Sequence, residues 1–328
     1  MKKHKTITLG HGSGAGLTRE LIENVFNKNF KLPTLDDAYE IENRMVVTTD
    51  SYVVSPIFFP GGDIGKLAVT GTINDLSMKG AVPVYLLVAY IIEEGFKIDD
   101  LIKITESIQK TASICNVRIV AGDTKVVQRG KGDGIYINTT GIGILPEGVN
   151  IVKNKIKKND KIIINGSIGD HGVAIVNARE DLGLSPPPES DCAPLNELVQ
   201  LMLSNGDIHF MRDPTRGGVA TILNEVQKEI NHGIVIYEEL LPIKNEINSV
   251  CELLGLDPLY IANEGKVVAF AGGNCKKLIS SMKNHIYGKN STIIGEVTDE
   301  VNGVYLKTST GSLRPVLLLE SDPLPRIC

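Results

Sequence analysis

The polar and basic stretch PEGVNIVKNKIKKND divides the chain into two halves, and each half mixes strand patterns with helical patterns. In the first half, the apolar segment PVYLLVAYII predicts a buried strand, and GKLAVTGTINDLSMKG carries a helical stripe. The second half restarts with the strand pattern KIIING and again alternates the two periods. The sequence therefore predicts two α/β domains of the mixed α+β kind, without a clear repeat between them.

Length and composition favour a soluble globular enzyme or binding protein. The chain has 328 residues, of which 42% are hydrophobic and 22% are charged, so two domains with their own cores are expected. A net charge of −5 argues against a nucleic-acid partner. The longest apolar run is shorter than the roughly 18 residues that a membrane helix needs, and the amino terminus lacks the apolar core of a signal peptide. We expect no membrane association and a cytoplasmic protein.

The five cysteines are odd in number and form no C-x-x-C pair, which argues against a disulfide framework and a structural zinc site. The last of them, Cys328, closes the segment SDPLPRIC, whose two prolines disfavour a helix. This thiol is either part of a frayed end or a working group.

The glycine-rich segment GHGSGAG, between a strand pattern in KTITL and a helical pattern, is the first candidate site. Backbone N–H groups and a helix start that converge in this way favour an anion. The segment is neither a Walker A loop nor a dinucleotide fingerprint, because both spacings fail. The alternative is a flexible arm. His11 and His171, which also stand beside glycines, are either ligand contacts or ordinary loop residues.

Three aspartates follow strand or helix patterns in a way that suits Mg²⁺, which prefers a few carboxylates together with substrate phosphates. These are Asp50 and Asp123, expected at strand ends, and Asp75, expected late in a helix. Lys125 is two residues beyond Asp123 on an extended segment, so both side chains should face the same way and the lysine could meet a phosphate. Helix caps and surface ion pairs are the alternative for each aspartate.

Two further motifs carry charged side chains beside glycine. In RDPTRGG, Arg216 lies where an anion would bind at a helix start, although a plain N-cap by Asp213 is an equal alternative. The second is ANEGKVV, within the segment PLYIANEGKVVAFAG, which is expected as strand–turn–strand. Its Glu264 is either a general base or an ordinary turn residue.

The chain resembles one family in motifs spread over its whole length: LGHGSGAG, TTDSYVVSPIFFPGGDIGKLAVTGTINDLSMKGA, VAGDTKVV, MRDPTRGGVATILNE, NEGKVV and PRIC. The middle motifs resemble the ATP-dependent superfamily that includes aminoimidazole ribonucleotide synthetase and selenophosphate synthetase. The PRIC motif distinguishes, within it, the HypE family of hydrogenase maturation proteins.

This resemblance implies a two-domain aminoimidazole ribonucleotide synthetase-like fold, in which the first domains of two subunits pair into a β-barrel in a homodimer. It divides the chain into a glycine-rich arm (1–35), an ATP-binding and dimerisation domain (36–150), a second α/β domain (151–313) and a mobile tail (314–328). Gly12, Ser13 and Gly14 would cover ATP.

The resemblance also implies a site and a reaction. Asp50, Asp75 and Asp123 would hold Mg²⁺ on the ATP phosphates, with Arg216 nearby, and Lys125 or Glu264 would act near the reacting group. The partner HypF would carbamoylate Cys328, the chain would dehydrate that group to a thiocyanate with ATP, and the HypC–HypD complex would accept the cyanide for the iron of [NiFe] hydrogenase. The alternatives are another ATP-dependent synthetase acting on a free small molecule and a non-catalytic nucleotide-binding scaffold.

Overall fold

The computed structural model describes residues 6–34 and 36–328, so the first five residues of the expected arm and Leu35 lie outside the described residues. The helices are α1 (Gly16–Leu21), α2 (Asn27–Phe30), α3 (Ile64–Met78), α4 (Ile98–Ile114), α5 (Asp170–Glu180), α6 (Asn196–Asn205), α7 (Gly218–Glu229), α8 (Asn245–Leu254) and α9 (Lys276–Lys283). A π-helical turn (Ile22–Phe26) joins α1 to α2.

The strands form two large sheets on either side of residue 150, together with a small hairpin. They are β1 (Tyr39–Glu40), β2 (Met45–Tyr52), β3 (Phe58–Phe59), β4 (Gly62–Asp63), β5 (Val82–Glu93), β6 (Arg118–Val127), β7 (Ile135–Ile144), β8 (Lys161–Ile164), β9 (Asp207–Arg212), β10 (Gly233–Tyr237), β11 (Val268–Gly272), β12 (Thr292–Thr298), β13 (Val304–Lys307) and β14 (Leu313–Pro315).

The first sheet has the order β1-β2-β7-β5-β6, in which only β5 and β6 run parallel. The parallel pair is joined by α4, as a crossover connection requires. Helix α3 packs against the sheet and is buried along almost its whole length. The Asp63 side chain caps α3 by accepting hydrogen bonds from the backbone N–H groups of Gly65 and Lys66, at 2.7 and 3.1 Å.

The second sheet has the order β14-β13-β10-β12-β8-β11-β9, and only β10 and β13 run parallel. Strand β8 is an interior strand between β12 and β11, and its residues Ile162, Ile163 and Ile164 are fully buried, which explains the unbroken apolar run in the sequence. The mixed α/β fold class and the division into two sheets agree with the sequence prediction.

The two halves share a buried junction at α3. Asn74 donates to the carbonyl of Ala193 at 3.1 Å and accepts from the backbone N–H of Leu195 at 2.8 Å. Ile175 of α5 belongs to the hydrophobic cluster of the first domain. Because Asp75 follows Asn74 on the same helix, this junction places one candidate ligand at the boundary between the domains.

Four local predictions were wrong. Among the described residues of the KTITL pattern there is no strand, because Leu9–Gly12 form a 3₁₀ helix. The PLYIANEGKVVAFAG segment is not strand–turn–strand: a 3₁₀ helix (Pro258–Tyr260) and a loop precede β11. Asp50 and Asp123 do not end their strands either, since β2 continues to Tyr52 and β6 to Val127.

No helix within the described ranges is long and apolar enough to cross a membrane.

Candidate active site

A cleft of about 350 Å³ lies where α3, β2, the loop after β9 and the tail meet. Its walls are strongly polar. They include Gly14, Asp36, Asp37, Asp50, Tyr52, Asp75, Arg212, Asp213, Arg216, Thr221, Glu225, Glu264 and Cys328. The cleft therefore joins residues from the glycine-rich arm, both domains and the tail.

Three carboxylates in the cleft are arranged as a cation site. Oxygens of Asp37, Asp75 and Asp213 lie within 4.8 Å of one another. Burial, followed by repulsion from neighbouring aspartates, raises the pKa of Asp213 to about 8 and the pKa of Asp75 well above its usual range. A divalent cation would relieve this repulsion, and carboxylate oxygens are the donors that Mg²⁺ prefers, so the residues fit that ion.

Two carboxylates of this cluster, those of Asp75 and Asp37, are held by neighbouring side chains. Thr48 donates to Asp75 at 2.9 Å. The guanidinium of Arg212 lies 3.0 Å from Asp37 and 2.6 Å from Glu225, and it stays charged between them. No sequence motif pointed to Asp37, and Asp213 was expected only as a possible cap of α7, whose N-cap residue is Gly217. The sequence feature that could have indicated Asp37 is its position next to a second aspartate, Asp36.

The three aspartates predicted from the sequence do not meet within one chain. Asp50 lines the same cleft as Asp75, and burial raises its pKa while Arg216 lowers it. Asp123 lies on β6 outside the cleft, with a side chain that is 60% exposed. The prediction that Asp123 and Lys125 face the same way is confirmed, because the lysine Nζ is 2.6 Å from both carboxylate oxygens.

The thiol of Cys328 lies in the cleft with Arg216 and Glu264. Burial raises the pKa of this thiol to about 12, an effect that Arg216 opposes and Glu264 and Asp50 reinforce. The cysteine is half-buried, whereas the other four cysteines are buried. Cys328 is thus the one described cysteine that combines access with a polar, acidic cleft.

Glu264 lies in the loop before β11 and is a buried acid without an adequate partner. Its Oε1 has no hydrogen-bond partner, while its backbone N–H donates to Asp191 at 3.0 Å. Burial, with repulsion from Asp213 and Asp191, raises the pKa of the carboxyl well above its usual range. A buried carboxyl with a raised pKa beside a thiol is the arrangement expected of a general acid or base.

The glycine-rich segment contacts the tail and the RDPTRGG loop. The backbone N–H groups of Gly16 and Leu17 donate to the carbonyls of Leu319 and Glu320 at 3.0 and 2.9 Å. Arg216 donates to the carbonyl of Gly12 at 2.8 Å. Of the predicted nucleotide contacts in this loop, only Gly14 lines the acidic cleft.

Gly12 and Ser13 line a smaller cavity of about 130 Å³ beside the tail, which shares Arg216 and Cys328 with the acidic cleft. The hydroxyl of Ser13 accepts a hydrogen bond from the backbone N–H of Asp322 at 3.0 Å. Many hydrogen-bonding groups of the glycine-rich segment, which were predicted to bind an anion, therefore bind the tail.

An apolar cavity of about 780 Å³ adjoins the acidic cleft. The two share Ile22, Asp36, Asp37 and Thr49. The rest of the apolar cavity is mainly hydrophobic and includes Phe26, Phe30, Leu32, Pro33, Tyr39 and Val47. A ligand with a flat apolar part and a charged part would span both spaces.

Two family models match the chain, the AIR synthase related protein N-terminal domain over residues 35–145 and the corresponding C-terminal domain over residues 157–307. The carbamoyl dehydratase HypE of Bradyrhizobium diazoefficiens is 45% identical over 98% of this chain and 96% of its own length. The chain belongs to the HypE family of carbamoyl dehydratases.

Solved HypE structures share the fold. HypE in a crystal structure of a HypE–HypF complex is 49% identical, with a TM-score of 0.88, and covers 91% of this chain and 99% of its own. A hydrogenase maturation protein HypE crystallised with ATP is 40% identical, with a TM-score of 0.83 and coverage of 98% and 100%. The family and fold inferred from the sequence motifs are therefore confirmed.

Proposed function

We propose that the chain uses ATP to dehydrate an S-carbamoyl group on its own Cys328 to a thiocyanate, which supplies cyanide for the iron of [NiFe] hydrogenase. The observation that carries this proposal is the position of the Cys328 thiol, which lies in the same cleft as the acidic cluster. Membership of a carbamoyl dehydratase family supports the same reaction.

The cleft and the apolar cavity beside it fit Mg-ATP. Asp37, Asp75 and Asp213 would hold Mg²⁺, with Asp50 close by, and the ion would neutralise charge on the phosphates. The adenine would occupy the apolar cavity next to Phe26, and the phosphates would extend into the acidic cleft towards Arg216. A HypE relative has been crystallised with ATP, which supports this assignment.

The reaction balances with ATP as the only co-reactant. The carbamoyl oxygen attacks the γ-phosphorus, ADP leaves, and nitrogen loses one proton. The C–O bond then breaks with phosphate as the leaving group, and loss of the second nitrogen proton completes the C≡N bond. Phosphorylation is needed because an amide oxygen is otherwise a poor leaving group.

Within one chain, Glu264 is the group best placed to take a nitrogen proton. It lines the cleft together with Cys328, and its Oε1 has no other hydrogen-bond partner. Its pKa is raised in the absence of a cation, and positive charge brought into the cleft would lower that pKa towards the range useful for a base. Lys125 remains the alternative only if a second subunit carries it to the cleft.

In a homodimer, Asp123 and Lys125 of one subunit could act at the cleft of the other subunit. Strand β6 is the edge of the first sheet and is exposed along almost its whole length, although it carries apolar side chains such as Val120 and Val126. An exposed apolar edge strand is a site for pairing with another chain. A second copy packed on this face would cover the strand and could present its Asp123 and Lys125 to the neighbouring cleft.

Two other proteins complete the proposed cycle in the cytoplasm. HypF would carbamoylate the thiol, as the solved HypE–HypF complex suggests, and the HypC–HypD complex would accept the cyanide. Both exchanges need the thiol outside, whereas dehydration needs it in the cleft. Residues 314 and 315 belong to β14 and Val316 is buried in the second core, so the mobile tail begins later than predicted. We infer that the tail beyond Val316 alternates between an outward and an inward position.

The mass of the peptide that contains Cys328 tests this function. Carbamoylated protein incubated with Mg-ATP should lose one water from that peptide, and Cys328→Ala should accept no carbamoyl group while still binding Mg-ATP. Cys251→Ala is the matched control and should behave as the wild type, because that buried thiol lies outside the cleft.

Two results would contradict the proposal. Turnover of a free small molecule by Cys328→Ala would indicate another ATP-dependent synthetase. Nucleotide binding without ADP formation, even with carbamoylated protein, would indicate a scaffold.

A further inference from the structure

One face of α5 is directed at the tail. His171, Ile175 and Arg179 are spaced four residues apart and therefore share a face of the helix. Ile175 belongs to the same hydrophobic cluster as Ile327 of the tail. The two polar side chains of this face, those of His171 and Arg179, both donate hydrogen bonds to backbone carbonyl groups of the tail.

The hydrogen bonds from α5 to the tail are all to backbone oxygens. His171 is fully buried, and its Nε2–H donates to the carbonyl of Ile327 at 2.8 Å, while Nδ1 accepts from the hydroxyl of Ser190 at 2.8 Å. Arg179 donates to the carbonyls of Pro325 and Arg326, each at 3.0 Å.

Arg179 also ties the tail to the first domain. Its guanidinium donates to the carbonyl of Ser55 at 2.8 and 3.0 Å. On the same segment, the backbone N–H of Val53 donates to the carbonyl of Cys328 at 3.0 Å, and Arg326 donates back to the carbonyl of Val53 at 3.0 Å. The tail end is thus held between residues 53–55 and α5.

None of these contacts uses the Cys328 side chain. A free thiol, a carbamoyl group and a thiocyanate would therefore be held in the same way, with Cys328 lining the cleft. Contacts of this kind control where the tail lies without recognising what it carries.

We propose that His171 and Arg179 are positioning residues that form a latch on the backbone of residues 325–327 and set the balance between the inward and outward tail. The link to catalysis rests on the proposed function, but the latch itself does not. Weakening it should expose the thiol more often, which helps a reaction that needs the outward tail and hinders one that needs the inward tail.

Alkylation of Cys328 by iodoacetamide measures the outward population without any carbamoyl chemistry. A thiol whose pKa is about 12 in the cleft reacts mainly after it leaves, so the rate should follow the outward fraction. Arg179→Gln and His171→Ala should each raise the rate constant about tenfold or more, because each loses at least one charged or buried hydrogen bond to the tail.

Arg44→Gln is the matched control. Arg44 also donates to backbone carbonyls, those of Leu145 and Pro146, but it makes these contacts away from the tail. It should leave the alkylation rate unchanged. His171→Gln keeps an amide donor, so its effect should be smaller than that of His171→Ala.

The catalytic readout should split in opposite directions. Arg179→Gln should accept carbamoyl groups faster from the carbamoylating partner and dehydrate them more slowly in a single turnover with ATP. General damage to the fold would slow both steps.

The latch is overturned if both variants alkylate at the rate of Arg44→Gln. It is also overturned if Cys115, Cys192, Cys251 and Cys275 become reactive together with Cys328, because α5 would then stabilise the whole protein rather than the tail. Failure of the dehydration chemistry with selective alkylation intact would reject the proposed function and leave the latch standing.

Discussion

At the scale of the residue, the cleft concentrates buried acids that repel one another. The folded pKa of Asp213, about 8, lies above its ordinary value of 3.8, so the native state retains a proton that the unfolded chain has lost. Between these values the native state binds more protons, and the free energy of unfolding must fall as pH rises. Clustering these acids in the cleft therefore destabilises the folded state as the pH rises.

We expect the metal-free protein to lose stability from about pH 4 to about pH 8, by at most about 1.4 kcal/mol per pH unit for one such group. Asp213→Asn should flatten this dependence, and excess Mg²⁺ should reduce it. Denaturant unfolding at several pH values measures the effect. The exposed carboxyl of Glu189 provides the control Glu189→Gln, and an equal pH slope in both variants would contradict the role of Asp213.

A second residue-scale prediction concerns Glu264. Glu264→Gln keeps the shape of the side chain but cannot take a proton, so Mg-ATP affinity should change little while single-turnover dehydration falls by about 10² to 10⁴. Calorimetry and the mass of the peptide that contains Cys328 give the two readouts. Dehydration at the wild-type rate would remove Glu264 as the base and favour Lys125.

At the scale of the element, the conformation of the glycine-rich loop depends on the close approach of Gly14 to Arg216. Gly14 has φ +77°, and a Cβ there would lie 2.6 Å from the Cβ of Arg216. A Cβ at Gly12 would meet nothing within 4 Å. The two glycines thus form a natural pair for comparison.

Gly14→Ala should displace Arg216 and strain the loop at a cost of about 1–2 kcal/mol, so Mg-ATP affinity should fall by roughly tenfold or more. Gly12→Ala should bind Mg-ATP nearly as the wild type does. Calorimetric titration of both folded variants decides the matter. Equal affinities would show that the loop serves the tail and not the nucleotide.

The tail is a second element whose conformation depends on its surroundings. Arg326 adopts φ +52°, a left-handed conformation that costs an arginine about 1–2 kcal/mol. Its hydrogen bond to the carbonyl of Val53 and its ion pair with Asp133 offset this cost. A segment whose backbone strain is offset by a few contacts is suited to leaving its inward position and returning to it.

At the scale of the whole molecule, the uncovered strand β6 predicts the assembly. Val120→Lys should convert a homodimer into a monomer, because it places a charge on the apolar edge of the sheet. Ile102→Lys, at a comparably exposed apolar position on α4, should leave the dimer intact. Sedimentation at micromolar concentration separates the outcomes, and a monomeric wild type would refute the dimer directly.

The dimer makes a sharper prediction about Asp123. Asp123→Ala should weaken Mg-ATP binding and turnover in the folded dimer, as should Asp75→Ala. If Asp123 acts across the interface, mixing the two inactive variants under subunit exchange should restore about a quarter of the sites, since half of the dimers are mixed and each has one intact site. No recovery despite mixed dimers would mean that Asp123 and Asp75 serve the same chain, or that Asp123 serves none.

The sequence by itself determined what local pattern can encode. Periodicity predicted most of the larger elements, including β5 and α3, and the motif order indicated the family. It also indicated that Asp123 and Lys125 share a face, since strand geometry alone sets that relation. The failures were local too: the alternation in KTITL and around Glu264 suggested strands where loops and 3₁₀ turns make the contacts.

Only the tertiary structure decided which side chains share a space. Asp37, Asp75 and Asp213 come from the loop before β1, from α3 and from the loop after β9, and their meeting depends on how the two sheets pack around α3. The same packing brings Cys328 to this cluster, leaves Asp123 outside it, and turns His171 towards the tail. The spacing of residues along the chain determines which way their side chains point within one helix or strand. The distance between residues of different elements depends instead on how those elements bury their apolar faces, and no single motif contains that information.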